Sequence, residues 1–167
     1  HWFRDNYEKN MEQLPYVASG VTINRIEVWV TNKRGRYDQS RNLVAFADLG
    51  EYSPDHIQNQ HWTSNGSQEV PYNKANTLYQ EVINRSGIRD IRNTNAVLQT
   101  LNAYGIYGGE DYEKIESARL LTSTEYTLNA SLGYISLRSA LNQDEVLCVA
   151  YEYTYGGKVY QVGEFSS

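Results

Sequence analysis

The stretch VAYEYTYGGKVYQVGEF, residues 149–165, decides how this chain folds. Two runs rich in β-branched and aromatic residues flank Gly156 and Gly157. A glycine pair between two such runs predicts a hairpin with a two-residue type I′ turn, because both turn residues need a positive φ that glycine adopts without steric cost. That turn places Tyr153 opposite Tyr160, and the register of the whole hairpin follows from this pair.

The two faces of this hairpin differ in polarity. Val149, Tyr151 and Val162 share the phase of the tyrosine pair and make one face the more apolar, so this face is predicted to point toward the core. Cys148 then lies on the opposite face, in the apolar run VLCVA. A thiol in such a run is typically an inert packing residue. We therefore expect Cys148 to be buried and unreactive.

The C-terminal third is predicted to be β-structure throughout. The predicted strands cover residues 112–121, 125–128, 133–137, 145–155 and 158–165. The order of these segments is typical of Ig-like modules: a short strand, a turn, a glycine-led strand and a long strand that ends in tyrosine. This order predicts an antiparallel, β-sandwich-like arrangement.

Two further strands are predicted nearer the N-terminus, over residues 21–31 and 43–49. In VTINRIEVWVTN the apolar positions change phase between Ile23 and Ile26, which predicts a β-bulge at the Asn-Arg pair between them. The run LVAFADLG is apolar in both phases, as expected of a strand that is covered on both faces.

Helical spacing predicts two short helices in the middle of the chain. They cover residues 73–86 and 94–104, with Gly87 and Gly105 as their C-terminal caps. A third short helix, ending at Pro15, is predicted from the spacing of Phe3, Tyr7, Met11 and Leu14.

The chain is thus predicted to be one α+β domain in three parts. A helix and strands occupy residues 1–51, a loop and a two-helix insertion occupy residues 52–111, and β-strands occupy residues 112–167. We expect the strands to share one core, with the two helices packed at one side of it.

Bulk composition narrows the function classes. A chain of 167 residues can bury a core without disulfides or metals. The net charge of -5 argues against nucleic acid as a partner, because phosphate binding needs concentrated positive charge. No apolar run approaches the roughly 20 residues of a membrane helix, so this piece is not expected to insert into a membrane. Because the sequence begins at His1, we interpret it as excised from a longer chain.

The sequence lacks the motifs of catalysis and metal binding. It contains no G-x-S-x-G elbow, no P-loop and no G-x-G-x-x-G. His56 and His61 are five residues apart, which does not put them on one helical face. The sequence therefore predicts a non-catalytic domain with no cofactor and no metal.

Aromatic residues are the main excess, with 15 tyrosines. Exposed Trp and Tyr anchor protein interfaces and stack on sugars, whereas buried tyrosines fill the faces of a sheet. Trp29 has the opposite phase to the apolar residues of its strand, so it either packs on a second layer or is exposed. Six residues form the candidate interaction surface: Trp29, Trp62, Tyr104, Tyr107, Arg34 and Arg36.

Two stretches resemble a known family. They are residues 19–51, with the strings IEVWVTN and NLVAFADLGE, and residues 120–165, with VAYEYTYGGKVYQVGEF. Both look like segments of the SprA (Sov) family, the giant outer-membrane translocons of the Bacteroidetes type IX secretion system and gliding machinery. Residues 52–111 match that family only in general character.

The resemblance implies a large β-barrel channel that passes folded proteins across the outer membrane, with no enzyme activity. The present stretch lacks the alternating, roughly ten-residue strands of such a barrel. It is therefore interpreted as a soluble insertion at the bacterial cell surface or periplasmic side, which contacts other channel subunits or secreted cargo. The alternative is an Ig-like adhesion or carbohydrate-binding module, which the aromatic excess and the sandwich rhythm favour.

Overall fold

The structure, a computed structural model, describes residues 2–3, 20–32, 40–65, 70–85, 87–90 and 92–166. Its strands are β1 (Val21–Val30), β2 (Ser40–Phe46), β3 (Tyr112–Leu120), β4 (Tyr126–Asn129), β5 (Tyr134–Leu137), β6 (Leu147–Tyr155) and β7 (Lys158–Val162). Its α-helices are α1 (Leu78–Ile83) and α2 (Thr94–Ala103), and a 3₁₀ turn spans Pro54–His56. The predicted α+β class, antiparallel sheets with two short helices inserted between the strands, is confirmed.

The strands form two antiparallel layers. Five strands make one sheet in the order β2-β3-β1-β6-β7, and β4 and β5 make a separate hairpin. That hairpin packs on one face of the large sheet, where Ile135 and Leu137 contact the cluster of Val28 and Val30. Apolar side chains from two layers therefore interdigitate, which gives the sandwich-like packing that the C-terminal rhythm predicts.

The β6–β7 hairpin has the predicted register. Tyr153 lies opposite Tyr160, and the turn glycines Gly156 and Gly157 have φ of 58° and 75°. Tyr153 is fully buried, so the tyrosine face does point inward. Val149 differs from the prediction, because β7 ends before reaching it and 37% of the residue stays exposed.

The predicted bulge in β1 is also present. The register between β1 and β6 shifts between Ile23 and Arg25, so one extra residue lies on β1 at that point. The extra residue brings both apolar sets of β1 onto the same face of the sheet. Val21 joins the aromatic cluster with Tyr153, and Val28 joins the cluster beneath the β4–β5 hairpin.

The large sheet is split along β1 and β3. β1 pairs with β6 from Val21 to Val30, but it pairs with β3 only at Trp29–Leu120 and Val30–Arg119. One more bond continues this join, from the N–H of Leu121 to the carbonyl of Val28 at 2.8 Å. The sheet therefore consists of two arms, one made of β1, β6 and β7 and the other of β2 and β3.

The two helices differ in how closely they follow the prediction. Helix α2 ends as predicted, because Gly105 has φ of 75° and donates to the carbonyl of Asn102 while Ile106 donates to that of Leu101. Helix α1 is shorter than the predicted 73–86. Its N-terminal part is lost because Asn73 and the residues after it bond to β7 and to the loop after β2 instead of forming a helical turn. Gly87 has a positive φ but lies beyond the Asn84 cap, so it does not cap α1.

The helices share a core with the strands, as predicted. Leu78 of α1 and Leu101 of α2 pack with Trp62 and Tyr112, and partly buried Val44 and Phe46 of β2 pack against the same cluster. Leu43, the next residue along β2, instead joins the cluster of Trp29 on the other side. β2 is therefore covered on both faces, as its two apolar phases predict, although it is an edge strand.

An aromatic cluster joins the beginning of the chain to β6. Phe3 is buried, and its ring lies 5.4 Å from that of Tyr153, which stacks on Tyr160 at 5.4 Å. The Tyr153 hydroxyl donates to the carbonyl of Pro71, and burial raises the pKa of Tyr153. The predicted N-terminal helix that ends at Pro15 lies outside the described residues.

Within the part of the chain that the structure describes, no helix combines the length and hydrophobicity needed to cross a bilayer.

Candidate docking cleft

A half-open cleft of about 710 Å³ lies between the sheet, the two helices and the segment that follows β7. Its walls come from β1, β2 and β6, from both helices, and from residues 163–166. The lining includes Leu43, Leu98 and Val82 as apolar members and Glu27 and Arg89 as polar ones. A cleft of this size falls within the range of ligand and peptide sites.

The cleft follows the edge of β2. Leu43, Val44, Ala45 and Phe46 all line it, although neighbouring residues of a strand point to opposite faces. Consecutive residues line one cavity only where that cavity runs beside the strand. The backbone edge of β2 is therefore part of the cleft wall.

Hydrogen-bond phase shows which backbone groups face the cleft. Ala47 donates to the carbonyl of Asp111 at 2.9 Å, in line with the register of the β2–β3 pair. Since hydrogen-bonded pairs alternate along an antiparallel ladder, Ala45 also bonds toward β3, and Val44 and Phe46 point their N–H and C=O groups away from it. β2 ends its sheet, and no strand among the described residues pairs with it on that side.

The opposite edge of the sheet is covered. Asn73 donates its backbone N–H to the carbonyl of Gln161 at 2.8 Å. Its side chain accepts from the N–H of Gly163 at 2.8 Å and donates to the carbonyl of that residue at 3.1 Å. The segment before α1 thus covers the C-terminal end of β7, whereas no described segment bonds to the outer edge of β2 in this way.

Residues 163–166, here called the strap, form one wall of the cleft. The buried carboxylate of Glu27 accepts hydrogen bonds from the backbone N–H and the hydroxyl of Ser166, and from the indole N–H of Trp29 at 3.2 Å. Glu164 accepts from Arg89 at 2.5 Å and from Tyr79 at 2.9 Å. These bonds tie the strap to the sheet at one end and to the helical side at the other.

Cys148 lies in the cleft wall and is half-buried rather than fully buried as predicted. It packs beside Trp29, and burial raises the pKa of its thiol to about 11. The prediction of complete burial is wrong because the cleft opens on that face. At neutral pH the thiol stays protonated, so it is a poor nucleophile.

The two tryptophans of the predicted interaction surface lie in the core. Trp62 is 2% exposed and donates its indole N–H to Asp48 at 3.1 Å, and Trp29 is 7% exposed and packs on Ile115 and Ala118. Neither is available as an exposed anchor, so this part of the prediction needs correction. Sequence reasoning missed the burial of Trp62 because its partner Asp48 lies in a different loop.

The two tyrosines of that surface are exposed but lie away from the cleft. Tyr104 is 48% exposed and Tyr107 52% exposed. The guanidinium of Arg85 covers the Tyr104 ring at 3.1 Å, and the backbone of Tyr107 donates to buried Asp111. The remaining two members, Arg34 and Arg36, lie outside the described residues.

The candidate site residues that the sequence did not reveal are those of the β2 edge and the strap. Sequence periodicity marks β2 as a strand but does not tell which of its backbone groups stay without a partner. Among the described residues, no three side chains of the His, Cys, Asp and Glu types come together as a metal site. His56 faces Glu51 at 3.7 Å, and His61 packs against Gly105.

Comparison with known proteins returned no match to any protein-family model and none to a curated protein.

Proposed function

We propose that this chain is a non-catalytic structural and partner-docking domain of an outer-membrane protein-export channel of the SprA (Sov) type. Its contribution to type IX secretion and gliding is contact: it holds the shape of the channel or docks another subunit or a cargo protein. The observation that carries the docking role is the cleft beside the open edge of β2. The resemblance of residues 19–51 and 120–165 to that family supports the choice of channel.

The cleft has the composition of a binding surface. Apolar side chains such as Leu43, Val82 and Leu98 line it, and its polar residues include Glu27 and Glu164, which already bond within the domain. Apolar surface with few available charges favours contact with another polypeptide over chemistry on a small polar substrate.

The test fills the cleft in the full-length parent protein. Leu98 lines the cleft, whereas Gln99, the next residue of α2, is exposed and is not part of the lining. We expect Leu98→Trp to reduce secretion and the amount of partner protein that co-purifies with the channel. Gln99→Trp is the matched control and is expected to behave as wild type.

Thermal melts of the isolated 167-residue chain establish that both variants fold. Normal secretion by Leu98→Trp, and by a parent lacking residues 1–167 altogether, would contradict the docking role. Secretion is measured with the channel shown to be assembled in the outer membrane in each strain.

A second candidate function is an adhesion or carbohydrate-binding module. It is favoured by the exposed ring of Tyr107 and by Tyr104, which is 48% exposed although Arg85 covers one face of its ring. Aromatic rings stack on the apolar faces of sugars. Binding of the isolated chain to a glycan array, lost in a Tyr104→Ala, Tyr107→Ala double variant, would support this function over docking at the cleft.

A further inference from the structure

We infer that the cleft receives an extended segment of the partner polypeptide, which adds to the large sheet as a strand along β2. This inference rests on the proposed docking role and specifies the form of the partner at the same site. The incoming segment takes the outer position beside β2, so that the order β2-β3-β1-β6-β7 gains one strand.

The open backbone groups determine the chemistry of the occupant. Val44 and Phe46 each present one N–H and one C=O toward the cleft, with a spacing of two residues along the strand. A second strand alongside β2 can hydrogen-bond to each of these N–H and C=O groups in turn. A helix satisfies its own backbone groups internally and an acyl chain has none, so neither matches the β2 edge.

The walls suit the side chains of a strand. Alternate residues of an added strand point to opposite faces of the sheet. On one side they meet Leu43 and its neighbours, and on the other they meet Val82 and Leu98 of the helices. Since a strand advances about 3.3 Å per residue, a segment of about five residues covers the part of β2 that lines the cleft.

The charges of the lining match an uncharged segment. Arg89 pairs with Glu164 at 2.5 Å, and Lys114 pairs with Glu116 at 3.0 Å. Glu27 accepts from Ser166 and Trp29. The other two charged residues of the lining bond to the backbone: Arg41 donates to the carbonyl of Ser166 at 3.4 Å, and Asp90 accepts from the N–H of Arg92 at 3.1 Å. Because these charged groups already have contacts within the domain, the complementary occupant is apolar or neutral along most of its length.

A second copy of the chain fits this site less well. Asn73 covers the C-terminal end of β7, so the less covered sheet edge of a second copy is its own β2. That edge lies in the wall of its own cleft, between the sheet and the helices. A second copy would have to bring a β2 edge flanked by its own helices into this cleft, whereas a single extended segment has only the width of one strand.

The experiment separates strand addition from contact with side chains alone. Val44→Pro removes an N–H that points into the cleft, at an edge position where proline leaves the β2–β3 ladder intact. Val44→Thr keeps that N–H and the shape of the side chain, and it is the matched control. The probe is a library of random dodecapeptides displayed on phage, selected on the purified 167-residue chain.

We expect the enriched peptides to alternate β-branched or aromatic residues with small neutral ones. A synthetic peptide from this pool should bind wild type and Val44→Thr equally and bind Val44→Pro about tenfold more weakly, as the loss of one well-formed hydrogen bond implies. Binding should also slow hydrogen exchange at the amides of Val44 and Phe46. Circular dichroism and melting temperature confirm that Val44→Pro is folded.

Three results would overturn the inference: equal affinity of the peptide for Val44→Pro, unchanged amide exchange at Val44 and Phe46, or the absence of any enriched peptide. A concentration-dependent dimer of wild type that Val44→Pro abolishes would identify a second copy as the occupant instead.

If Leu98→Trp impairs secretion while Val44→Pro does not, docking at the cleft stands and strand addition falls. If neither variant affects secretion but the peptide binds as expected, the export role falls and the binding mode stands.

Discussion

At the scale of single residues, buried carboxylates organise the irregular part of this chain. Asp48 is 3% exposed, and one of its oxygens accepts from the backbone N–H groups of Gln58 and Asn59 and from the indole of Trp62. Three donors thus share one acceptor: the buried indole of Trp62 and two part-buried backbone N–H groups. A loop that looks polar in sequence therefore becomes part of the core.

The first prediction concerns this acceptor. Asp48→Ala leaves the buried indole N–H of Trp62 without its acceptor, at a cost of about 1–3 kcal/mol, and also removes the acceptor of two part-buried backbone N–H groups. We expect the free energy of unfolding, measured by urea denaturation, to fall by about 2 kcal/mol or more. Asp55→Ala removes an exposed carboxylate seven residues away and should change stability by less than about 0.5 kcal/mol. A similar, small loss in both variants would show that the Asp48 bonds contribute little.

The second prediction concerns Cys148, whose pKa is raised by burial from 9.0 to about 11. At pH 8 the native thiolate is then about a hundredfold scarcer than the unfolded one, so a thiol reagent should label the native chain about a hundredfold more slowly. The raised pKa stabilises the fold fully below pH 9, and this contribution is lost as the pH rises toward 11. Native labelling as fast as labelling in urea would contradict this assignment. Cys148→Ala is the reference for the pH dependence of unfolding.

At the scale of elements, the β6–β7 hairpin depends on its turn. Gly156 and Gly157 both have positive φ, and no atom lies within 4 Å of where a Cβ would stand at either position. The cost of a side chain there is therefore conformational rather than steric.

The third prediction follows from that distinction. Replacing both glycines with valine should lower the free energy of unfolding by about 2 kcal/mol or more, since each pays roughly 1–2 kcal/mol in a left-handed conformation. Gly156→Asn is the control, because asparagine tolerates that conformation and should lower the melting temperature only slightly. An unchanged melting temperature in the double-valine variant would be incompatible with this turn.

Elements with a local signal could be predicted from sequence, and those fixed by distant partners could not. The glycine turn, the bulge after Ile23 and the end of α2 at Gly105 are each visible within a few residues. The start of α1 is not, because Asn73 bonds to residues 90 positions away in the chain. The cleft was equally hidden, because the open groups of β2 are known only once its neighbours are.

At the scale of the whole molecule, the beginning of the chain connects the two layers. Phe3 packs edge-on against Tyr151 and Tyr153 of β6. Its ring also occupies the space that a side chain would need at Gly133, in the turn between β4 and β5. The contact links the large sheet to the small one.

The fourth prediction tests this link. Phe3→Ala should lower the free energy of unfolding by about 3–5 kcal/mol, the usual cost of removing a buried phenylalanine ring. Tyr134→Ala, in the same hairpin but 52% exposed, is the matched control and should cost far less. Equal losses from the two variants, measured by urea denaturation, would mean that the N-terminal contact does not join the layers.

The short join between β1 and β3 has a consequence for how the molecule opens. Among the described residues, two register pairs and the bond from Leu121 to Val28 connect the β2–β3 arm to β1, so the amides of β2 and β3 need not open together with those of β6 and β7. We expect the join to act as a hinge between two units that open separately. No residue of β2 is fully buried, whereas Tyr153 of β6 is, so amide exchange in mild urea should release β2 before β6. The same opening would widen the entrance for an incoming chain.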